Sequence, residues 1–333
     1  MILLSYGTRP EYIKIEPIIK KLSEKNILYR ILFTGQHENL INNNNWDFKL
    51  TVKKITENRL DNILNSCLSI DEEVFNNVKM AIVQGDTTSA LGISLSCMHR
   101  GIKVIHLEAG LRSYDIKNPY PEEYNRKLIS QIADIHLCPT KENENNLIKE
   151  NISENVFVVG NTALDNLVNL KSESVYNKKI LITLHRRENH EIIDEWFYEI
   201  ENLANLYPNY EFILPIHPNP NVIKHKKIFN KVIVVEPMEH SEMIKLLLEA
   251  SLVITDSGGL QEECSFLNKK CLVCRKTTER QESLNFSSFL IPTPKDLTKE
   301  FNYHIKNCKI NYISPYGDGY SSDKIINVIK KYL

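Results

Sequence analysis

The sequence predicts an α/β protein with two successive domains, each built on a parallel β-sheet that helices cover on both faces. The chain has 333 residues, which exceeds the size at which one hydrophobic core keeps growing. Short apolar runs alternate with segments of helical periodicity along the chain. A polar stretch at 169–179 interrupts the alternation, which then starts again. We therefore expect domains at 1–168 and 169–315, followed by a C-terminal helix within 316–333.

In the first half, apolar runs predict strands at Ile2–Ser5, Tyr29–Phe33, Met80–Val83, Val104–Leu107, Ile135–Cys138 and Val156–Val159. Helices are expected between them, where apolar residues recur three or four positions apart. Pro121 suits the first turn of one such helix, whose Tyr124, Leu128 and Ile132 share a face.

The second half repeats this pattern. Its apolar runs predict strands at Ile180–Leu184, Phe212–Ile216, Val232–Val235, Leu252–Thr255 and Cys271–Val273. A helix between the first two carries Trp196 and Ile200 on one face. The final helix has an apolar stripe that includes Ile325 and Ile329, which could pack on either domain.

Composition excludes several classes of protein. The 41 basic and 42 acidic residues leave a formal charge of −1, which argues against a broad nucleic-acid surface. No apolar run approaches the roughly 18 residues that a membrane span needs. The seven cysteines are odd in number and lack framework spacing, which indicates the reducing cytoplasm. Cys271 and Cys274 lie in a predicted buried strand, so we expect core cysteines rather than a metal site.

The most informative segment is a strand that ends at Asp256 and is followed by Ser257, Gly258 and Gly259. Two glycines at the start of a helix let backbone N–H groups approach an anion, and the helix dipole favours negative charge there. Glu263 lies one to two turns further on, where a carboxylate suits the paired hydroxyls of a ribose. Arg280 could add a cationic contact to phosphate. The pattern indicates a nucleoside-diphosphate site, with an ordinary strand-to-helix turn as the alternative.

Charged residues follow several predicted strands, at the edge where parallel sheets bind ligands. Arg9 and Lys14 lie about a turn apart and could face one point, or begin a solvated amphipathic helix. Asp86 follows the third strand, and its spacing alone favours a helix cap. Glu108 follows an apolar strand, where partial desolvation would raise its pKa and suit a general acid or base. Glu122 could equally be a dipole partner of its helix.

In the second half, His185 and His217 each follow a predicted strand. One histidine at a strand end is often structural, whereas two histidines on neighbouring strand ends favour a functional role. His185 is also followed by two arginines, so it is a plausible neighbour of a diphosphate.

These pieces occur in an order that resembles the non-hydrolysing UDP-N-acetylglucosamine 2-epimerases. The matching segments run collinearly over almost the whole chain: Gly7–Glu11 with Lys14, Thr34–His37, Gln84–Thr88, Glu108–Arg112, Pro121–Arg126, Gly160–Thr162, His185–Asn189, His217–Asn221, Asp256–Gly259 with Gln261–Glu263, Thr277–Arg280 and Pro315–Gly319. The resemblance implies two Rossmann-like domains of the glycosyltransferase-B type, with a ligand cleft between them. It also implies a final helix that crosses back to the first domain, and a homodimer.

For chemistry, the resemblance implies inversion at C2 of UDP-N-acetylglucosamine through loss and return of UDP, feeding surface polysaccharide synthesis, with no metal or nicotinamide. The residues that match the catalytic positions are Asp86, Glu108, Glu122 and His185. Those that match substrate-binding positions are Arg9, Lys14, Arg112, Ser257, Gly258, Gly259, Glu263 and Arg280. The alternatives are a hydrolysing relative, an epimerase of a modified UDP-sugar, and a glycosyltransferase of the same fold.

The chain departs from the family pattern in two places. Met238 and Met243 stand where the family commonly has Gln and Phe around the uracil, so neither is assigned. Gln36, His37 and His217 resemble a second-site neighbourhood where many members bind an activating UDP-N-acetylglucosamine. Here Glu38 follows, the next region is shortened, and no later arginine is evident. We therefore expect weak or absent activation.

Overall fold

The computed structural model describes residues 1–36, 45–117 and 119–333. They divide into two compact units, Met1–Asn166 with Gly317–Leu333, and Leu167–Tyr316. Each unit contains one parallel sheet with helices, so the predicted α/β class is confirmed. Within the described ranges, no helix has both the length and the apolar character needed to cross a membrane.

The first unit has a seven-stranded sheet of order β3-β2-β1-β4-β5-β6-β7. Its strands are β1 (Ile2–Tyr6), β2 (Tyr29–Phe33), β3 (Phe48–Lys49), β4 (Met80–Gln84), β5 (Lys103–Leu107), β6 (Ile135–Cys138) and β7 (Val156–Val158). Its helices are α1 (Arg9–Glu24), α2 (Arg59–Leu68), α3 (Thr88–His99), α4 (Glu122–Ile132) and α5 (Lys141–Lys149), together with the C-terminal helix of the chain (Ser321–Ile329).

The second unit has a six-stranded sheet of order β10-β9-β8-β11-β12-β13. Its strands are β8 (Lys179–Thr183), β9 (Glu211–Pro215), β10 (Ile233–Val235), β11 (Ala250–Thr255), β12 (Cys271–Val273) and β13 (Ser288–Leu290). Its helices are α6 (Ile193–Leu206), α7 (Pro220–Ile223), α8 (His240–Glu249), α9 (Gly258–Phe266) and α10 (Pro294–Lys306). The C-terminal helix of the chain (Ser321–Ile329), which belongs to the first unit, is α11. A 3-10 segment, Thr162–Glu173, precedes β8.

Helix α1 shows how local sequence and packing agree. Thr8 caps its N-terminus and Glu11 completes a capping box, while Pro10 occupies the first turn. Its buried face, which includes Ile15 and Ile18, packs in one core with the Ile325 side of α11. The C-terminal helix therefore belongs to the core of the first unit.

Both sheets change strand order at a central strand, β1 in the first unit and β8 in the second. Consecutive crossovers leave on opposite sides of such a strand, which opens a crevice at its carboxyl end. The turns after β1, β4 and β5 therefore lie at one edge of the first sheet. The turns after β8, β9 and β11 lie at the corresponding edge of the second.

Two features differ from the sequence expectation. Strands β3 and β13 were not predicted. Strand β3 has only two residues, which is too few to show an apolar pattern. The shared face of Tyr124 and Leu128 on α4 is exposed, at 43% and 50%, instead of packing in a core. The buried residues of α4 include polar ones, Glu123, Asn125 and Arg126, which bond to neighbouring loops.

Candidate active-site residues

Glu108 directly follows β5, and its carboxylate is held by two side chains of the first unit. Lys14 Nζ lies 2.5 Å from Oε1, and the Gln84 amide donates to Oε2. Strand register brings Gln84 opposite Leu107, next to Glu108. Glu108 has φ of 69°, so the chain leaves the strand in a left-handed conformation that is uncommon for a side-chain-bearing residue. Such departures cluster at functional sites.

His106 supports the same edge from within β5. Its Nε2 lies 2.8 Å from the Gly85 carbonyl oxygen, so the imidazole ties β5 to the turn that precedes Asp86. Burial lowers the pKa of His106 to about 3, and the ring is therefore neutral near pH 7. A neutral ring suits a hydrogen-bond donor that positions the backbone.

Asp86 is not the helix cap that its spacing favoured. Thr87 caps α3 by accepting from the Ala90 N–H. The Asp86 carboxylate instead lies 2.5 Å from the Arg126 guanidinium, and its carbonyl oxygen accepts from the Asn125 amide at 2.8 Å. The second turn of α4 therefore anchors the Asp86 turn. These partners lie about 40 positions away, so spacing could not reveal them.

Glu11 is a buried carboxylate that the sequence analysis did not single out. It accepts from the backbone N–H of Gly7 and Thr8 at 2.9 and 2.6 Å, and from the Thr87 hydroxyl at 2.7 Å. Burial raises its pKa despite these donors. Glu11 joins the turn after β1 to the turn after β4, and the Thr8-x-x-Glu11 capping signature was the signal for it.

The other predicted residues of the first unit fall into two groups. Arg9 begins α1 and Glu122 begins α4, and each is partly exposed. Arg112, which the resemblance matches to a substrate-binding position, is 3% exposed, and its guanidinium forms two hydrogen bonds, at 2.8 and 2.6 Å, to Glu150. Its charge is therefore paired within the first unit.

In the second unit, Ser257 is the N-cap position of α9, whose first residues are Gly258 and Gly259. Nine residues of helix follow a buried strand, as the anion-site prediction requires. Gly258 has a steric reason to lack a side chain: a Cβ there would lie 2.9 Å from the Arg280 guanidinium. Arg280 thus packs directly against the Ser257–Gly259 turn, the predicted phosphate site.

Arg280 is enclosed by carboxylates. It pairs with Glu262 at 2.9 Å and with Glu279, while Arg275 pairs with Glu279 from its other side at 3.0 Å. Burial by itself would raise the pKa of Glu279, but Arg280 and Arg275 outweigh it and hold the pKa well below the usual range. This network fixes Arg280 behind the Ser257–Gly259 turn and neutralises much of its charge.

His185 and His217 meet as the sequence suggested. Their rings stack with centroids 4.9 Å apart and planes at 15°. Burial lowers the pKa of both, so both favour the neutral form. Asp256, fully buried, accepts from the backbone N–H of His185 and Arg186 at 3.0 and 2.8 Å. It sets the loop that presents His185, a role that the sequence analysis missed.

Glu263 is buried one turn into α9, and its Oε1 lies 2.7 Å from His240 Nε2. His240 is the first residue of α8, and the sequence did not single it out. The pair orients one carboxylate near the helix terminus that would bind phosphate.

The possible second-site residues are only partly described. His37 lies outside the described residues. Gln36 Oε1 accepts from the Ser89 N–H at 3.1 Å, at the start of α3. Arg59, at the start of α2, donates to the Gln36 carbonyl oxygen. An arginine therefore does lie beside Gln36, although the sequence analysis found none.

The chain is similar to known proteins over almost its whole length. The family model described as UDP-N-acetylglucosamine 2-epimerase matches residues 20–330. A Campylobacter jejuni UDP-N-acetylglucosamine 2-epimerase is 34% identical, over 99% of this chain and 97% of its own length. The crystal structure of the Neisseria meningitidis UDP-GlcNAc 2-epimerase bound to UDP-GlcNAc matches with a TM-score of 0.87 and 33% identity, covering 99% of each chain.

The Methanocaldococcus jannaschii UDP-GlcNAc 2-epimerase, in complex with UDP-GlcNAc and UDP, matches with a TM-score of 0.82 and 30% identity over 99% of each chain. The predicted glycosyltransferase-B type of fold is thereby confirmed, as is the predicted resemblance. The chain belongs to the UDP-N-acetylglucosamine 2-epimerase family.

Proposed function

We propose that this protein interconverts UDP-N-acetylglucosamine and UDP-N-acetylmannosamine without hydrolysis. The observation that carries the proposal is the pair of carboxylates, Asp86 and Glu108, at the ends of the neighbouring strands β4 and β5, each held by a cation of its own unit. Two oriented carboxylates at one sheet edge suit proton removal and return. The family relationship supports the UDP-sugar as substrate.

The chemistry explains why carboxylates and a diphosphate site are both needed. The C2 proton of the sugar is not acidic, so direct deprotonation at neutral pH is implausible. Breaking the C1–O bond to UDP while C2 loses its proton gives a glycal. UDP then adds back to C1 as C2 gains a proton on its opposite face. Charge develops on the departing diphosphate, where oriented donors stabilise it.

We assign roles accordingly. Asp86, Glu108 and Glu122 supply the acid and base groups. Ser257, Gly258 and Gly259 present backbone N–H groups to phosphate, and His185 and Arg9 stabilise the leaving diphosphate. Glu263 accepts from the ribose hydroxyls, and Arg280 supports the Ser257–Gly259 turn from behind. The two-unit fold and these residue types support the assignment.

An exchange experiment tests the proposal. The protein is incubated with UDP-N-acetylglucosamine in D₂O, and C2 is followed by NMR. Deuterium at C2 of an intact UDP-sugar, with both epimers present, is expected. Release of free N-acetylmannosamine and UDP would identify a hydrolysing enzyme. If the protein reacted only after an acceptor was added, it would be a glycosyltransferase. If it converted only a modified UDP-sugar, that sugar would be its substrate instead of UDP-N-acetylglucosamine.

We further propose a homodimer formed through α4. Tyr124 and Leu128 lie four residues apart on α4, and the ring of Tyr120, just before the helix, contacts Tyr124 edge-on, with ring centroids 6.1 Å apart. These three side chains are 62% (Tyr120), 43% (Tyr124) and 50% (Leu128) exposed. A second copy of this surface would bury them. Tyr124→Glu should convert dimer to monomer in analytical ultracentrifugation, whereas Tyr198→Glu, at a 62% exposed site on α6, should not. A wild-type monomer would contradict the proposal.

We also propose a cytoplasmic location and a role in supplying UDP-N-acetylmannosamine for surface polysaccharide synthesis. All seven cysteines are free thiols, and six of them are buried, which suits a reducing compartment. Cell fractionation with an antibody to the chain would test the location. Loss of the manno sugar from surface polysaccharide on gene deletion would test the role.

A further inference from the structure

The contacts of Lys14 point away from its predicted role at phosphate. Its ammonium lies 2.5 Å from Glu108 Oε1, and its side chain is only 15% exposed. The carbonyl oxygen of Lys14 accepts from the Thr162 hydroxyl at 2.5 Å, which holds this turn of α1 in place. Lys14 is therefore fixed against a carboxylate of its own unit.

Gln84 engages the other oxygen of the same group. Its side chain is buried at the end of β4 and donates from Nε2 to Glu108 Oε2. The Glu108 carboxylate, 9% exposed, thus has an ammonium on one oxygen and an amide on the other. Both donors favour the ionised form of the carboxylate and fix the plane in which it lies.

Two other titratable groups near the end of β5 are uncharged or engaged elsewhere. His106, two residues earlier on β5, is neutral at working pH because burial lowers its pKa to about 3. On α4, Arg126 is shared between Asp86 at 2.5 Å and Glu123 at 3.2 Å. Lys14 lies directly against Glu108, with its ammonium 2.5 Å from Oε1.

We propose that Lys14 and Gln84 are positioning residues that hold Glu108 ionised and aimed as the base of the epimerase, and that Lys14 is not a diphosphate ligand. The proposal deepens the proposed function and rests on it. A base must be unprotonated before C2 can lose its proton. The positive charge of Lys14 keeps the Glu108 carboxylate ionised, and the hydrogen bond from Gln84 orients it.

Four variants separate the effect of charge from the effect of orientation. Lys14→Met removes the ammonium, so kcat should fall about tenfold to a hundredfold at pH 7 and the acid limb of the kcat profile should move to higher pH. Gln84→Glu places a like charge beside Glu108 and should move the limb in the same direction. Gln84→Leu removes a neutral donor, so it should lower kcat and move the limb to higher pH by less than Lys14→Met does. Lys14→Arg keeps the cation and should restore the wild-type limb.

The control and a second readout complete the test. Lys20→Met removes an exposed lysine from the same helix and should change neither kcat nor its pH profile. The Kd of UDP, measured by calorimetry, should stay within about twofold of wild type in Lys14→Met. The ¹³C carboxyl signal of Glu108, identified by its loss in Glu108→Gln, should titrate at higher pH in Lys14→Met, and this readout needs no catalysis.

The outcomes are distinguishable. A wild-type protein without C2 exchange would overturn the proposed function, while the carboxyl titration would still decide whether Lys14 holds Glu108 ionised. An unmoved Glu108 titration in folded Lys14→Met would overturn the inference. So would a tenfold or larger rise in the Kd of UDP with an unmoved acid limb, because Lys14 would then be a phosphate ligand.

Discussion

Nε2 of His240 lies 2.7 Å from Oε1 of Glu263, which joins the first turn of α8 to the second turn of α9. Glu263 is the residue that we assign to the ribose hydroxyls, and the His240 imidazole contacts its carboxylate. A carboxylate whose orientation is set by an imidazole discriminates better between ligands with and without a hydroxyl.

We expect His240→Leu to weaken that discrimination. The affinity for UDP should fall about tenfold, because Glu263 is no longer oriented, while the affinity for 2′-deoxy-UDP should change much less. Calorimetry with both nucleotides measures the ratio. His225→Leu, at a partly exposed histidine of the same unit, is the control. An unchanged ratio in His240→Leu would show that His240 does not position Glu263.

Asp86→Asn and Glu108→Gln should each lower turnover roughly 10²–10⁴-fold, the usual loss for an acid or base, and leave UDP affinity nearly unchanged. Both substitutions keep the shape of the side chain and remove its proton transfer. Asp61→Asn, at an exposed position of α2, is the matched control. Initial rates and calorimetry give the two quantities. A wild-type rate in either variant would remove that residue from the chemistry.

Arg9→Ala and His185→Ala should lower kcat with a smaller effect on KM, since their role is to stabilise charge that develops as UDP leaves. Steady-state kinetics in both directions measure the split. Lys224→Ala, at an exposed residue of the same unit, should leave kcat unchanged. An effect on KM alone would contradict the leaving-group role.

Activation by UDP-N-acetylglucosamine should be weak or absent. An activator shifts a conformational equilibrium only by its differential affinity for the two states. In the sequence, Glu38 directly follows the second-site residues Gln36 and His37, and a carboxylate close to a diphosphate weakens its binding by on the order of 1 kcal/mol. Glu38 lies outside the described residues. The rate curve should be hyperbolic, and Glu38→Gln should make the reverse reaction more responsive to added UDP-N-acetylglucosamine. A sigmoidal wild-type curve would contradict this.

Lys269→Met should lower the free energy of unfolding by about 1–3 kcal/mol, because buried carbonyls would lose a donor. Lys269 is fully buried and donates to the carbonyl oxygens of Val175, Leu248 and Ala250, the last two at 2.8 Å. Denaturant titration measures the change. Lys299→Met, at a side chain that is 85% exposed, should be near neutral. Equal stability of the two variants would show that Lys269 contributes nothing specific.

Local sequence pattern was sufficient to predict features that are formed by a few consecutive residues. The apolar runs of the longer strands and the Ser257–Gly259 turn are each contained within a few residues, and the structure shows them. The Thr8–Glu11 capping box was equally local, but the sequence analysis did not single it out. Strand β3 has only two residues, which is too short for a period to show. On α4, periodicity identified the face shared by Tyr124 and Leu128, but no local property says whether another element covers it.

The sequence by itself determined the α/β class, the order of most strands and helices along the chain, and which residue types stand at the ends of those strands. Tertiary structure decided the partners: Lys14 with Glu108, 94 positions apart, and Asp86 with Arg126, 40 apart. It also turned Arg112 inward to Glu150. The physical reason is that periodicity reports which way a side chain points from its own element. Which charge it meets depends on strand order and register, and these follow from packing across the whole unit.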